Sequence, residues 1–458
     1  MTIFITISRG LIARNILQNE FYSLVKSYFK KVVLITTAAH DERFKKEFGA
    51  PNVEIIPMPV EADSLLDKIV SFLNMYLVFN ESTIGHGLYR YVAPPASRAA
   101  WLVKFLRFNL LRLVFQPLSH VKIVRRAVQK FDYYFLQRKA VAQYQRLLAQ
   151  YQPKIVFVAN MLEETALLKA ARRQQVPTIA MPKTWDNPSK RYFRARADSV
   201  IAWSPFMKEE LMKLHDYRDN EITVVGVPQF DYYADKSRLE SREDFCRRLG
   251  LDPKKKILCL GSEGKVMPSD TDIALVLRDL ISKGKLNKDC QLLIRPHFGY
   301  KNDEQKFMAL KNQSGVVIDM NNNPSRGFTD EWDYSKAQMD HFLNILYHAD
   351  VVINTCSTLA LDAAALGRPA VEIMFDGYEA KPFYASCRRW YICDYFQELM
   401  RFAPALAADS VESLCQSINR LLDNPKLLEA NQGRLREWLC YRLDGGAGRR
   451  IFDKLIAS

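Results

Sequence analysis

Ser357 and Thr358 stand between an apolar β-branched run and an alanine-rich one, in the stretch DVVINTCSTLALDAAALGRPAVEI that occupies residues 350–373. Small hydroxyl residues at such a strand-to-helix turn leave backbone N–H groups facing the turn. With the hydroxyls and the helix dipole, these favour an anion such as a phosphate group. Residues 350–355 have the composition of a strand buried on both faces of a parallel sheet. Gly367 suits a left-handed helix cap, Arg368 the negative helix end, and Pro369 blocks continuation before the next strand at 370–375. Asp362, one turn after Thr358, is expected to point from the same face toward the ligand.

Two further strands run into residues with matching chemistry. The strand at 290–294 leads into Arg295-Pro296-His297, where a guanidinium can clamp phosphate oxygens and an imidazole can donate a hydrogen bond or carry a stabilising charge. The strand at 257–260 ends in Gly261-Ser262-Glu263-Gly264, whose side-chain-free positions allow close backbone approach to a ligand. Carboxylates and imidazoles near such an edge could also act as proton acceptors. Asp186 is the first candidate, in the turn KTWDNP at 183–188 after a strand at 178–181, although Asp-Asn before Pro188 is ordinary turn chemistry too. His86, between two glycines, and His40 follow it, whereas Glu163 and Glu164 read as first-turn acids of a helix. The triplet Asp270-Thr271-Asp272 opens a helix that favours acids there, so no metal site is expected.

These motifs resemble those of GT-B glycosyltransferases, in particular bacterial surface-polysaccharide enzymes and the related CDP-glycerol glycerophosphotransferases. The resemblance implies that Ser357 and Thr358 bind the donor's phosphates, with Asp362 near the ribose hydroxyls. Arg295-Pro296-His297 is similar to the group's Arg-Pro-His motif, although Phe298 stands where those enzymes usually have Pro. KTWDNP resembles their Ser-Trp-Asp-Asn sequence, and Gly226 to Asp231 their Gly-x-Pro-x-x-Asp. The expected donor-binding residues are thus Gly261, Ser262, Arg295, His297, Ser357, Thr358 and Asp362, with Asp186 and His297 catalytic. The resemblance covers about residues 150 to 450, and residues 350–373 are its one motif specific alone.

The elements that must position these residues alternate strand with helix, the pattern of parallel α/β layers. At 458 residues the chain exceeds what one core serves. The expected fold is α/β and GT-B-like, with two Rossmann-like domains whose parallel sheets face an interdomain cleft. The division expected is 1–235, a charged helical linker at 236–253, and 254–458. Strands are expected at 2–8, 31–36, 53–60, 154–159, 178–181, 199–203 and 222–227, then at 257–260, 290–294, 316–319, 350–355 and 370–375. A helix is expected at 11–29, another at 63–79, and a long helical block at 97–151. Eight cysteines without a C-x-x-C pair are expected as buried thiols.

Charge is concentrated in that helical block. Of the net +14, residues 90–146 carry a net +11, from twelve Lys or Arg against the single acid Asp132. Within it WLVKFLRFNLLRLVF, residues 101–115, combines Trp, Phe and Leu with Lys104, Arg107 and Arg112. That composition lies in the interface of an anionic bilayer, or packs on a core with its basic ends snorkelling. No nucleic-acid-binding signature appears, and no apolar run approaches the ~20 residues of a spanning helix. The expectation is a cytoplasmic enzyme, peripheral at the inner membrane face through residues 97–146. It transfers a sugar from a nucleotide-activated donor to a glycan or lipid-linked acceptor in surface-polysaccharide synthesis. No cofactor or metal is required, and inversion is favoured because no paired E-x7-E-like carboxylates follow Ser357. The alternatives are a CDP-glycerol-type polyol-phosphate transferase, a sugar-nucleotide epimerase and a non-catalytic scaffold.

Overall fold

The computed structural model describes residues 1–59, 64–92, 98–267, 269–383 and 385–458. Val60, Asp63, Ser97 and Pro268, on which bounds or turns expected from sequence fall, lie outside the described residues. The chain forms two compact units. The first comprises Met1–Asp231, Ser325–Thr329 and Asp444–Ser458, and the second Tyr232–Pro324 and Asp330–Leu443.

The first unit is built on seven strands, β1 (Thr2–Ile7), β2 (Lys31–Thr36), β3 (Val53–Pro57), β4 (Ile155–Val158), β5 (Thr178–Ala180), β6 (Ser199–Ala202) and β7 (Ile222–Val224). Their order is β3-β2-β1-β4-β5-β6-β7, and every pairing is parallel. The second unit repeats the plan with β8 (Lys256–Gly261), β9 (Cys290–Arg295), β10 (Val316–Ile318), β11 (Val351–Asn354), β12 (Ala370–Ile373) and β13 (Leu406–Ala408). Its order is β10-β9-β8-β11-β12-β13, again all parallel. Parallel strands covered by helices bury both faces, which is why these runs read as unbroken apolar sequence. Period-two alternation divides them between two cores. Leu258, Leu260, Leu292, Ile294, Val351 and Ile353 face the helices Asp270–Ser282 and Val411–Asp423, whereas Ile257, Cys259, Leu293 and Val352 face Phe245, Ile345 and Ala363.

Several elements differ from expectation for identifiable reasons. The helix expected at 11–29 is interrupted by a π-turn segment, Ala13–Leu17, and restarts at Glu20–Tyr28 under the Asn19 side chain, which accepts the Phe21 N–H. The basic block divides into helices Arg98–Ser119, Lys122–Phe135 and Arg138–Tyr151, with Gln137 in the left-handed region at φ 56°. The segment expected as a linker holds helix Arg242–Leu249, whose Phe245 and Cys246 are fully buried in the second unit. Residues 444–458, assigned by sequence to the second domain, cluster with the first because Ile451, Phe452 and Leu455 are buried there. None of the eight cysteines forms a disulfide. Among the described residues no helix is long and apolar enough to cross a membrane.

Candidate active site

In each sheet the chain leaves its first strand toward one side and returns to build the other, so loops diverge between β8 and β11 and between β1 and β4. Ligands of open parallel sheets bind outside the strand ends at such a point. In the second unit Gly261 closes β8, and a Cβ there would come within 2.4 Å of Leu359 Cδ2, on the first residue of helix Leu359–Ala365. Gly264 has φ +69°, and its Cβ would lie 2.0 Å from the Tyr300 ring. Both glycines therefore bring the β8 loop against its neighbouring loops, a packing duty where sequence suggested approach to a ligand.

Asp303 ties two of these loops together. Its Oδ2 accepts from Ser262 Oγ at 2.6 Å and from the His297 backbone N–H at 2.8 Å, while Lys306 holds its Oδ1 at 3.0 Å. Asp270 Oδ2 accepts the Glu263 N–H at 2.8 Å and lies 3.1 Å from Lys306 Nζ. Burial, offset by Lys306, pushes the Asp270 carboxyl up to about 6. Ser262 is thereby a buried brace of the loop, and the Asp270 of the D-x-D triplet is turned inward to serve it.

His297 follows. Its Nδ1 accepts the Gly299 N–H at 3.2 Å, so the neutral ring carries its proton on Nε2. Desolvation lowers the imidazole to about 4, against the carboxylate of Asp303, which leaves it neutral near pH 7. The ring centroid lies 4.7 Å from Tyr300 and 5.4 Å from Trp332. Arg295 is placed differently from the expected phosphate clamp. Its guanidinium is buried, 3.0 Å from Asp319 Oδ2, and lies over Phe298 and Phe342. Asp319 in turn meets His341 Nε2 at 2.9 Å, which fixes Arg295 within the unit.

The turn after β11 is strained at Cys356, which has φ 54°. Its N–H donates to Glu372 Oε2 and to the Tyr391 hydroxyl oxygen, each at 3.1 Å. Glu372 is a buried carboxyl in β12, pushed up by desolvation to about 7 against the Tyr391 hydroxyl bond. Ser357 Oγ accepts the Leu359 N–H at 3.1 Å and hydrogen-bonds Glu263. Burial, with the charges of Asp270 and Glu372 adding to it, raises the Glu263 carboxyl well above its ordinary range against the Ser357 bond. Thr358 is exposed, whereas Asp362 is only 4% exposed and accepts from the Tyr233 hydroxyl at 2.5 Å. The structure thus brings Glu263, His297, Ser357 and Thr358 to one edge, and turns Arg295 and Asp362 into the protein. Glu263 and Glu372 had no assigned role by sequence, although an acid inside the apolar run AVEI is itself a signal.

In the first unit the β1 and β4 ends carry a second acidic group. Glu164 is buried and accepts the Thr6 hydroxyl. Desolvation pushes its carboxyl up to about 7 despite hydroxyl bonds from Ser8 and Thr6. It precedes helix Thr165–Arg173 and makes no capping bond, so the helix-start role read from sequence does not describe it. Glu163 beside it receives a bidentate Arg9 guanidinium at 2.9 and 3.0 Å, with Lys183 of the KTWDNP turn 3.6 Å away. Asp186 accepts from Thr184 Oγ1 at 2.6 Å and pairs with Lys190. Burial would raise its carboxyl, but Lys190 and the Thr184 bond outweigh this and hold it below its usual range. His86 adds to that field and lines a cavity of about 80 Å³ with Thr83, Lys190 and Arg191. His40 is exposed in the turn before helix Glu42–Phe48.

Comparison with known proteins agrees with this architecture. A sequence search of the curated proteins finds no match. Among solved structures, UDP-GlcNAc 2-epimerase from Neisseria meningitidis bound to UDP-GlcNAc is similar with a TM-score of 0.56, at 11% identity over 100% of both chains. A glycosyltransferase from Rickettsia africae gives a TM-score of 0.52 at 13% identity, covering 99% of this chain and 98% of its own. A UDP-N-acetylglucosamine 2-epimerase from Listeria monocytogenes gives 0.54 at 14%, covering 100% and 96%. These likenesses establish the GT-B fold of two Rossmann-like units. Residues 90–226 match the model of Glycosyltransferase Family 4, and residues 161–457 that of CDP-Glycerol:Poly(glycerophosphate) glycerophosphotransferase. The second match spans the greater part of the chain, including Glu163, Glu164 and the site loops of the second unit. The chain therefore belongs to the CDP-glycerol:poly(glycerophosphate) glycerophosphotransferase family, an enzyme of glycosyltransferase type on a GT-B fold.

Proposed function

We propose that the second unit holds a nucleotide-activated donor and that the enzyme moves its activated group onto an acceptor hydroxyl. The observation that carries this is the meeting of the β8, β9 and β11 loops, which sets Glu263, His297, Ser357 and Thr358 at one strand edge. The first reading is glycosyl transfer from a nucleotide sugar to a glycan or lipid-linked acceptor in bacterial surface-polysaccharide synthesis. In it the acceptor oxygen bonds the anomeric carbon as the bond to the nucleotide's phosphate oxygen breaks, with inversion. His297 Nε2–H and the Ser357 and Thr358 hydroxyls stabilise the departing phosphate. Asp186 takes the acceptor proton, with Glu164 as the other carboxylate suited to it. No metal is needed, so EDTA leaves turnover unchanged.

A second reading, transfer of a polyol phosphate from a CDP-linked donor, is favoured by the family match over residues 161–457. There the acceptor oxygen attacks phosphorus and CMP departs. The enzyme works at the inner face of the cytoplasmic membrane. This is supported by exposed Leu102, Val103, Leu106, Leu110 and Leu113 on helix Arg98–Ser119, beside Lys104, Arg107 and Arg112.

The test is a thermal-shift panel of UDP, GDP, CMP, CDP, ADP and dTDP on the wild type, Ser357→Ala and His297→Ala. One nucleotide should raise the wild-type melting temperature and neither variant's. Its activated sugar or polyol should then give acceptor-dependent product. Conversion of a nucleotide sugar without acceptor would make the protein an epimerase, and no stabilisation by any nucleotide would favour a scaffold.

A further inference from the structure

The first unit contains a cavity of about 530 Å³, within the size range of small-ligand sites. It is formed by helices Lys122–Phe135 and Thr165–Arg173, residues 192–196 and the turn at 218–221. Seven cations line it, and they fall into two classes. Lys169 and Arg194 form its base with Asp132, which lies between them fully buried. Arg194 Nε is 2.6 Å from Asp132 Oδ2 and Nη2 is 3.0 Å from Asp67 Oδ1. Arg196 is paired with Glu221 at 2.5 Å and held by the His215 and Asp216 carbonyls. These three are neutralised and built in.

The other four, Arg126, Lys130, Arg172 and Arg218, are exposed and have no acidic partner among the described residues. They come from three separate elements and converge on one concave wall. Four like charges around one hollow repel one another, and an anion in the hollow would relieve that repulsion. Tyr134 is exposed on the lining and Tyr133 half-buried beside the Arg172 and Arg173 guanidiniums, while Tyr192 is buried behind them. Aromatic rings supply flat apolar surface for the carbon skeleton of a sugar or polyol, and a site for inorganic phosphate alone has no use for them.

We infer that this cavity binds an anionic acceptor chain made of phosphodiester-linked sugar or polyol units. The inference deepens the transferase reading and rests on it, because it supplies the acceptor side of that reaction. Arg126, Lys130, Arg172 and Arg218 contact the phosphates, Tyr134 and the open part of Tyr133 pack on the linking carbons, and the Lys169–Asp132–Arg194 network holds the floor in shape. The apolar face of helix Arg98–Ser119 uses different residues.

The experiment is titration calorimetry of the full chain with a synthetic tri(glycerol phosphate), with inorganic phosphate, and with phosphatidylglycerol–phosphatidylcholine vesicles. The wild type should bind the oligomer more tightly than inorganic phosphate, and affinity should fall steadily with added salt. Each of Arg126→Ala, Lys130→Ala, Arg172→Ala and Arg218→Ala should weaken it roughly two- to fivefold. The quadruple variant should weaken it by more than 30-fold, and the triple variant Arg126→Lys, Arg172→Lys, Arg218→Lys should retain most of the affinity. Because the four side chains are exposed, the folded state should persist, as an unchanged melting temperature would report. Nucleotide stabilisation of the quadruple variant should equal that of the wild type, which separates failure at this cavity from failure of the donor site. Oligomer binding unchanged in the quadruple variant, no oligomer binding by the wild type, or loss of vesicle binding alone would each overturn the inference.

Discussion

At the scale of single residues, the groups that stand out are carboxyls kept from ionising. Glu164 is the clearest, because its neighbours are hydroxyls and no cation offsets its burial. Its unfolded carboxyl releases a proton near 4.5, whereas the folded one keeps it to about 7. Between these values the folded state binds more protons, so its stability falls as pH rises through the window and levels off above it. Glu164→Gln keeps a carbonyl acceptor for Thr6 and removes the titration. The variant should therefore gain on the wild type as pH rises from 4.5 to 7, by roughly 3 kcal/mol at the top of the window. Urea unfolding at a series of pH values measures this, and a difference that does not change with pH would show that Glu164 ionises normally. The same pair of acids sorts the proton acceptor. Asp186 is already ionised across that range through Lys190, so a kcat/KM that titrates near 7 and loses this limb in Glu164→Gln would assign the base to Glu164.

At the scale of elements, backbone geometry matters only where a neighbour makes it matter. Gly264 and Gly250 have nearly the same φ, +69° and +75°, yet a Cβ on Gly264 would meet the Tyr300 ring while one on Gly250 meets nothing within 4 Å. Gly250→Ala should cost about 1 kcal/mol for the left-handed backbone alone. Gly264→Ala adds overpacking and should cost roughly 3 kcal/mol. It should also weaken nucleotide binding, since it pushes the β8 loop from the β9 loop. Equal losses in denaturant midpoint for the two variants would mean that Tyr300 yields freely. This contrast also marks what could be read in advance. Twelve strands were legible because buried parallel strands are continuous β-branched runs, with observed ends within three residues of expectation. β13 was not, since Leu406-Ala407-Ala408 has no β-branched residue and is a strand only through its pairing with β12. The position of each loop follows from its strand, so Ser357, Thr358 and His297 could be placed just beyond the ends of β11 and β9. The direction of a side chain depends on distant partners, which is why the pairing of Arg295 with Asp319 and of Asp362 with Tyr233 was not legible.

At the scale of the whole molecule, the chain returns at its end to the unit it began with. The Asp231 carboxylate accepts the N–H groups of Ala447 and Gly448 at 2.8 and 2.7 Å, at the start of helix Ala447–Ile456. Arg450 Nε donates to the Val225 carbonyl at 2.6 Å, and Arg449 reaches Glu20 at 2.6 Å. Gly448 fits against Asn19 and the Phe21 backbone, where a Cβ would lie 2.9 Å from the Phe21 nitrogen, and Phe452 meets Tyr28 edge to face. Ile451, Phe452 and Leu455 are buried, and each buried side chain of this size contributes about 1.5 to 3 kcal/mol. Ending the chain after Leu443 removes that burial and leaves Asp231 without its two donors, while every strand and loop of the second unit stays intact. The shortened chain should therefore unfold in two steps in calorimetry. The earlier one should belong to the first unit, and the later one should still rise with the nucleotide that stabilises the full chain. Asp231→Asn, which weakens the cap but keeps the buried face, should shift the first step by a smaller amount. If the shortened chain lost its nucleotide-dependent rise, the helix would be supporting the donor-binding unit, and the division of the chain at Asp444 would be wrong.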